Sequence, residues 1–135
     1  MSFTEFKLHP TLLQGIAEQG FTEPTPIQAS ALPPALAGRD VLACAMTGSG
    51  KTAAFVLPLL ERLRATPGGG ATRALILTPT RELALQVEEH LRALGRHAGV
   101  RSGTVIGGVN PRPQERILRA GVDVVVATPG RLLDH

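Results

Sequence analysis

This 135-residue chain has little cysteine, little lysine and no long apolar run. Its single cysteine, Cys44, excludes a disulfide framework within the chain and fits a reducing compartment, so we expect a cytoplasmic protein with Cys44 as a small core residue. No apolar run reaches the roughly 20 residues that a membrane helix needs. The opening segment MSFTEFKLHP has no apolar stretch and is not expected to be a signal peptide.

The basic residues are mostly arginines, because Lys7 and Lys51 are the only lysines. A net charge of +3 permits nucleic-acid binding but does not demonstrate it. The four histidines show no metal-ligand spacing, so they predict no metal site, and His90 and His97 are expected on the solvated side of a helix. A hydrophobic fraction of 43% predicts a folded domain rather than a disordered chain.

Apolar runs and helical stripes alternate from Asp40 onward, and this order predicts an α/β fold with a parallel sheet and helices on both faces. The predicted strands are residues 40–45, 73–78, 100–108 and 122–128. The predicted helices are residues 52–65, 82–98 and 113–121, with another beginning at 128. In the second helix Leu83, Val87, Leu91 and Leu94 form one apolar stripe.

The first 38 residues are predicted to form a separate N-terminal region ahead of an α/β domain at 39–135. Residues 9–19 have helical spacing, and residues 20–28, GFTEPTPIQ, are expected to be extended or turned. Residues 28–37 are expected to start as a helix that Pro33 and Pro34 interrupt.

The loops MTGSGKT, TPTRE, GGVNP and TPGR all follow predicted strands. Parallel α/β sheets bind ligands at the carboxyl ends of their strands, so these loops predict one site. In AMTGSGKT the glycines let backbone N–H groups approach a phosphate, and the following helix adds its N-terminal dipole. Lys51 would reach the β- and γ-phosphates, and Thr52 would hold Mg²⁺. Ala45 replaces the first glycine of the strict pattern, and a plain glycine-rich turn is the alternative.

The stretches GFTEPTPIQ, AMTGSGKT, PTREL, GG and TPGR, in this order, resemble the first RecA-like domain of DEAD-box RNA helicases. The resemblance runs from about Phe3 to Arg131. It implies a RecA-like P-loop domain that binds ATP, with Lys51 and Thr52 as catalytic residues and Thr52 as the Mg²⁺ ligand. The predicted cofactor-binding residues are Phe21, Gln28, Thr47, Gly48, Ser49, Gly50, Lys51 and Thr52.

The resemblance assigns the base of ATP to GFTEPTPIQ. Gln28 would read the adenine through its amide, which offers an acceptor and two donors, and Phe21 would stack on the base. Phe3 falls where the family has an aromatic supporting this pocket, with simple packing as the alternative.

Three further elements are implied to contact RNA through its sugar-phosphate backbone, without sequence specificity. They are Pro79, Thr80 and Arg81 of PTREL, Gly107 and Gly108, and Thr128 and Arg131 of TPGR. The alternatives are a helix cap at Thr80 and a plain turn at the glycine pair.

Two departures from the family pattern matter. Met46 stands where the family usually has Gln, which puts the coupling of nucleotide and RNA in question. The family's motif II, Asp-Glu-Ala-Asp, does not occur in the 135 residues, and neither do motif III and the second RecA-like domain. We therefore expect the complete protein to couple ATP hydrolysis to local RNA unwinding, and the 135 residues alone to be inactive because phosphoryl transfer needs those parts.

The family's strand order places two later strands between VLACA and the strands RALILT, VVVAT and TVIGG. The resemblance therefore implies a gap in the sheet, with uncovered edges on VLACA, RALILT and VVVAT that favour self-association.

Two other functions stay open. One is a nucleotide- and RNA-binding module that does not hydrolyse ATP, which the coding sequence after residue 135 would distinguish. The other is a different P-loop enzyme such as a nucleotide kinase, against which GFTEPTPIQ argues because a kinase has no reason to carry it upstream of the phosphate loop.

Overall fold

Six helices and three strands make up the described part of the fold. The computed structural model describes residues 2–43, 50–66, 71–107 and 111–134. A 3-10 turn at Phe3–Phe6 precedes the first helix. The helices are α1 (Pro10–Glu18), α2 (Pro26–Leu36), α3 (Lys51–Ala65), α4 (Arg81–Leu94), α5 (Pro111–Ala120) and α6 (Pro129–Asp134), and the strands are β1 (Ala74–Leu77), β2 (Ser102–Val105) and β3 (Val124–Ala127).

The three strands form one parallel sheet in the order β1-β3-β2. Ala127 of β3 is in register with Leu77 of β1 and with Val105 of β2, so the three strands end at the same level. The predicted parallel sheet is confirmed. The expectation that VVVAT has an uncovered edge is wrong, because β3 is the central strand and pairs on both sides.

Helices cover both faces of the sheet, as predicted for this α/β fold. Every residue of β3 is buried. Val124 and Val126 pack into the larger core with α1, α3 and α4, whereas Val125 and Ala127 pack on the other face with Ile117 and Leu118 of α5. Strand side chains alternate between faces, which explains why an uninterrupted apolar run marks a strand buried on both sides.

The N-terminal segment shares the larger core with the α/β part of the chain. Phe3, Leu12 and Leu32 are buried in the same cluster as Leu57 of α3 and Val124 of β3. Phe3 also contacts Phe6 in an edge-on pair with ring centroids 6.3 Å apart. A division of the chain at residue 38 stays a prediction.

Helix α2 runs through Pro33 and Pro34, so the predicted interruption is wrong. The helix begins with Pro26 in its first turn, where a missing N–H costs nothing. Each internal proline removes one hydrogen bond of the helix. Burial of Ala31 and Leu32 in the packing of α2 against α3 outweighs this loss.

Residues 40–43 do not form the strand that was predicted for 40–45. Val41 is 43% exposed and Leu42 is 97% exposed. A strand needs a paired neighbour, and none of the described strands pairs with this segment. Cys44 and Ala45 lie outside the described residues.

The stripe predicted on α4 is correct for three of its four members. Val87, Leu91 and Leu94 are buried, whereas Leu83 is 39% exposed. His90 is exposed on the helix, as expected, but the helix ends before His97. His97 Nε2 lies 2.9 Å from the carboxylate of Glu18, and this hydrogen bond lowers the pKa of Glu18.

Asp123, just before β3, links this strand to the residues that precede β1 and β2. Its carboxylate accepts a hydrogen bond from the Arg101 backbone N–H at 3.0 Å and pairs with Arg73 Nη2 at 3.0 Å. Arg73 also donates to the carbonyl oxygens of Leu63 and Thr66 at the end of α3. Burial raises the pKa of Asp123. The hydrogen bond from the Arg101 N–H and the Arg73 guanidinium together lower this pKa by more than burial raises it, so it lies below the usual value.

Among the described residues, no helix is both long and apolar enough to span a bilayer.

Candidate functional site

The first turn of α3 presents backbone N–H groups that no N-cap side chain covers. Its N-cap is Gly50, which has a positive φ of 85° and no side chain to accept a hydrogen bond. By contrast, Thr25 caps α2 and Thr80 caps α4. Lys51 is exposed and Thr52 is half-buried immediately after Gly50. An uncapped helix N-terminus beside an exposed ammonium group favours an anion.

Gly50 is confined by the segment that was predicted to read the base. A Cβ atom at Gly50 would collide with Nε2 of Gln28 and would lie 2.9 Å from Oγ1 of Thr25. The positive φ also disfavours any residue other than glycine. Position 50 therefore requires glycine for two independent reasons.

Gln28 is 3% exposed and uses both ends of its amide. Its Oε1 accepts from the Thr25 backbone N–H at 2.9 Å, and its Nε2 donates to the carbonyl oxygen of Gly50 at 3.1 Å. The Thr25 hydroxyl accepts from the Gln28 N–H, which completes a reciprocal cap at the start of α2. An amide still has one donor hydrogen and one acceptor lone pair beyond these bonds.

A cavity of about 1080 Å³ connects the start of α3 with the end of β1. It is lined by predicted nucleotide contacts, namely Phe21, Gln28, Gly50, Lys51 and Thr52, and by Ile76, Leu77 and Thr78 of the β1 end. Phe21 is half-buried and packs against the core. The volume is slightly larger than the roughly 300–1,000 Å³ of ordinary ligand sites.

A Mg²⁺ ion at this cavity would take its oxygen ligands from a bound phosphate and water as well as from the protein. Within the ranges that the structure describes, no group of three or more His, Cys, Asp or Glu residues could hold a metal ion. Mg²⁺ at nucleotide sites keeps several waters and is bound by phosphate oxygens and few protein ligands. The hydroxyl of Thr52, in the first turn of α3, suits that role.

Three loops with predicted RNA contacts begin side by side at the carboxyl edge of the sheet. The Thr78 N–H donates to Ala127 O at 2.9 Å, and the Thr128 N–H donates to Val105 O at 3.1 Å. These bonds extend the pairing one residue beyond β1 and β3. The loops that start at Pro79, Thr128 and Gly107 are therefore neighbours.

Thr80 and Arg81 stand at the start of α4. The Thr80 hydroxyl accepts from the Leu83 N–H at 3.2 Å, so the helix cap is present. Arg81 lies 3.6 Å from Glu82, with its side chain 54% exposed. An exposed pair of this kind is weak, so the guanidinium can turn toward an anion.

The other predicted RNA contacts lie at or near the surface. Pro79 is exposed, and Gly107, Thr128 and Arg131 are half-buried. A Cβ atom at Gly107 would meet nothing within 4 Å, so packing alone does not require glycine there. Thr47, Gly48, Ser49 and Gly108 lie outside the described residues, as does Met46.

Two threonines of the site were not singled out from the sequence. Thr78 is 5% exposed and its hydroxyl lies 3.1 Å from Thr80 O. No feature of the local sequence marks a threonine at the end of a strand as a site residue. Thr25 precedes Gln28 by three residues, and this spacing is the known signature of a capping box.

A family model described as DEAD/DEAH box helicase matches residues 25–135. The chain belongs to this family. The match confirms the resemblance from which the site was predicted. The three-stranded parallel sheet fits part of a RecA-like domain.

Curated relatives match along almost the whole chain. The chain is 51% identical to "DEAD-box ATP-dependent RNA helicase 28" of Arabidopsis thaliana, 50% identical to "ATP-dependent RNA helicase DRS1" of Candida albicans, and 47% identical to "Probable ATP-dependent RNA helicase DDX27" of Homo sapiens. The matches cover 99%, 99% and 100% of this chain but only 17%, 22% and 18% of those proteins. The chain thus spans about a fifth of the length of these relatives.

Proposed function

We propose that this chain is the ATP-binding and RNA-backbone-binding part of an ATP-dependent RNA helicase. In the complete protein, hydrolysis of ATP would be coupled to local unwinding of an RNA duplex. The names of the relatives support this activity for the family. The observation that carries the proposal is the uncapped start of α3 at Gly50, with Lys51 and Thr52 facing the cavity that Phe21 and Gln28 also line.

The phosphates of ATP would lie at the start of α3. The N–H groups of its first turn and the Lys51 ammonium supply donors and positive charge, and Thr52 supplies a hydroxyl for Mg²⁺. Bound Mg²⁺ would neutralise the phosphate charge. Phe21 and the remaining donor and acceptor of Gln28 would contact the adenine.

The RNA backbone would follow the carboxyl edge of the sheet. The three chain segments that leave the sheet there are neighbours, and they lead to Thr80 with Arg81, to Gly107, and to Thr128 with Arg131. Arginines and helix N-termini recognise phosphate without reading base edges. The proposed RNA binding is therefore independent of sequence and depends strongly on salt.

The chain itself is proposed to bind ATP without hydrolysing it. Phosphoryl transfer needs a carboxylate that positions Mg²⁺ and water, and the family's Asp-Glu-Ala-Asp motif is absent from these 135 residues.

Replacement of Lys51 tests the nucleotide site. Lys51→Ala should weaken binding of a fluorescent ATP analogue by roughly tenfold or more, because the phosphates lose a charged donor. Lys7 provides the matched control, since it is exposed and has a positive φ of 59°, which asparagine tolerates. Lys7→Asn should bind like the unmodified chain. Equal affinity in all three proteins would show that the phosphates do not bind at Lys51.

A further inference from the structure

Two carbonyl oxygens just before Gly107 are held by different parts of the fold. The carbonyl oxygen of Val105 accepts the Thr128 N–H at 3.1 Å, so the segment after β3 holds it. The next carbonyl oxygen, that of Ile106, accepts a hydrogen bond from the side-chain Nε2 of Gln114 at 3.0 Å, so α5 holds it. Strand β2 ends at Val105. Gln114 therefore anchors the residue that directly precedes Gly107.

Helix α5 gives this bond a close-fitting support. Ile117 packs so tightly on β2 that a Cβ atom at Gly103 would lie 2.5 Å from its Cγ2. Residues three positions apart share one face of a helix, so Gln114 projects from the same face of α5 as Ile117. Gln114 is 4% exposed and reaches the end of the strand on which Ile117 packs.

The amide of Gln114 is only half used. Its Oε1 is buried and, within the part of the chain that the structure describes, has no hydrogen-bond partner. A buried acceptor without a partner destabilises a fold by about as much as one hydrogen bond stabilises it, and an apolar side chain would avoid this cost. Stability alone therefore gives little reason for a glutamine here. The bond to the Ile106 carbonyl is what distinguishes Gln114 from a methionine or a leucine.

The residue next to this anchored carbonyl adjoins open space. A Cβ atom at Gly107 would meet nothing within 4 Å, and the φ of Gly107 lies outside the left-handed range that favours glycine. Neither packing nor backbone conformation requires glycine there. A glycine at such a place lets a ligand approach the backbone closely.

We propose that Gln114 is a positioning residue for RNA binding, which holds the Ile106 carbonyl and thereby sets the position of Gly107 against the RNA backbone. This inference rests on the proposed RNA surface at the carboxyl edge of the sheet. Gln114 is buried and acts through the backbone of Ile106 and Gly107 rather than by touching RNA. Loss of its amide should therefore weaken RNA binding without unfolding the chain.

Two substitutions, Gln114→Met and Gln114→Leu, remove the donor and differ in side-chain shape. Because each also removes the unpaired Oε1, the melting temperature should change by no more than about 5 °C. Gln19→Met is the matched control, since Gln19 is exposed at the end of α1. Helix α1 packs against Leu94 at the end of α4, whereas the proposed RNA contact Arg81 lies at the start of that helix.

The binding measurement uses the whole 135-residue chain and a fluorescein-labelled oligouridylate, followed by fluorescence anisotropy. Both Gln114 variants should bind this RNA about tenfold more weakly than the unmodified chain, whereas Gln19→Met should bind it equally well. Binding of magnesium ATP should be unchanged in all three variants, because the described lining of the nucleotide cavity includes neither side chain.

A double-mutant cycle with Gly107→Ala separates positioning from a general structural effect. Gly107→Ala places a methyl group where the RNA backbone is proposed to lie, and it should itself weaken RNA binding by about tenfold. If Gln114 acts through Gly107, addition of Gln114→Met to Gly107→Ala should weaken binding little further, because the two residues share one contact. Independent effects would multiply to about a hundredfold and would overturn the positioning role.

The remaining outcomes are distinct for the inference and for the proposed function. Unchanged RNA binding in both Gln114 variants, with weaker binding in Gly107→Ala, would overturn the inference and leave the RNA surface in place. A large fall in melting temperature with weaker ATP binding in both Gln114 variants would show a structural role and also overturn it. Unchanged RNA binding in Gly107→Ala, or an unmodified chain that binds no RNA, would overturn the proposed RNA surface and the inference with it.

Discussion

The hydroxyl oxygen of Thr78 lies 3.1 Å from Thr80 O and 3.4 Å from Ala127 O. One buried side chain thus joins the loop after β1 to the end of β3. The two segments lead into α4 and α6, which carry Arg81 and Arg131, and these arginines are proposed to bind an RNA backbone. The spacing of the two arginines therefore depends on a buried threonine that is not itself among the predicted RNA contacts.

Thr78→Val should loosen this connection. Valine keeps the shape but leaves the carbonyl oxygens without the hydroxyl donor, at a cost of about 1 kcal/mol in the free energy of unfolding. Affinity for single-stranded RNA should fall several-fold as the two loops separate. Thr104→Val, which removes a half-buried hydroxyl within β2, is the control and should leave RNA affinity unchanged. Equal RNA affinity in both variants would contradict the role of Thr78.

The arginines at the strand ends should contribute to RNA binding through charge. Arg81→Ala and Arg131→Ala are each expected to weaken RNA binding and to reduce the slope of log affinity against log salt by about 0.7, because each removes one phosphate contact. The measurement is a fluorescence anisotropy titration at several salt concentrations.

Arg119→Ala is the matched control for these variants. Arg119 is exposed in the last turn of α5, just before the start of β3 and therefore at the other edge of the sheet. The Arg119→Ala substitution removes the same charge and leaves the proposed RNA surface unchanged. An equal change of slope in all three variants would mean that RNA responds only to net charge.

Asp123 should make the fold sensitive to acid. Because its folded pKa lies below the unfolded value near 3.9, the carboxylate stabilises the fold above about pH 4, and this contribution is lost as the pH falls through the folded pKa. Asp123→Asn should lower the free energy of unfolding at pH 7 by about 1–3 kcal/mol. Urea unfolding should show this difference shrinking below about pH 4, and a constant difference down to pH 2.5 would contradict the argument.

The open edge of β1 should make the chain self-associate. Among the described strands β1 pairs only with β3, and Leu75 and Leu77 are 51% and 55% exposed on the face that α5 only partly covers. An apolar strand with unpaired backbone groups attracts another strand. Sedimentation velocity should detect oligomers that Leu75→Lys with Leu77→Lys reduces.

Leu85→Lys tests whether any exposed leucine would give the same result. Leu85 is 53% exposed but lies on α4, away from the strand edge. It should leave the oligomers unchanged. A monomeric unmodified chain at the same concentration would refute association through β1.

The periodic parts of the sequence predicted the fold well. The stripe of Val87, Leu91 and Leu94 identified α4, and the uninterrupted VVVA identified a strand buried on both faces. These patterns record burial, which local sequence expresses directly. No local pattern predicted the order β1-β3-β2, and the family resemblance was taken to leave VVVAT at an uncovered edge, whereas β3 is the central strand.

The errors occurred where tertiary contacts outweigh local preference. Pro33 and Pro34 do not end α2, because its packing against α3 compensates for their lost hydrogen bonds. Val41 and Leu42 read as a strand, but the described residues offer them no partner strand. The bond from Gln28 to Gly50 spans 22 residues, and no sequence pattern of either segment alone encodes it.

Chemical modification of the two lysines tests the central claim most directly, because the chain carries its own control. Lys7 and Lys51 are both exposed and should react with an amine acylating reagent in the unmodified chain. Magnesium ATP should slow acylation of Lys51 by about tenfold, as judged by mass spectrometry of the peptides, and should leave Lys7 unaffected. Acylation of Lys51 at an unchanged rate in saturating ATP would contradict the placement of the nucleotide phosphates at the start of α3.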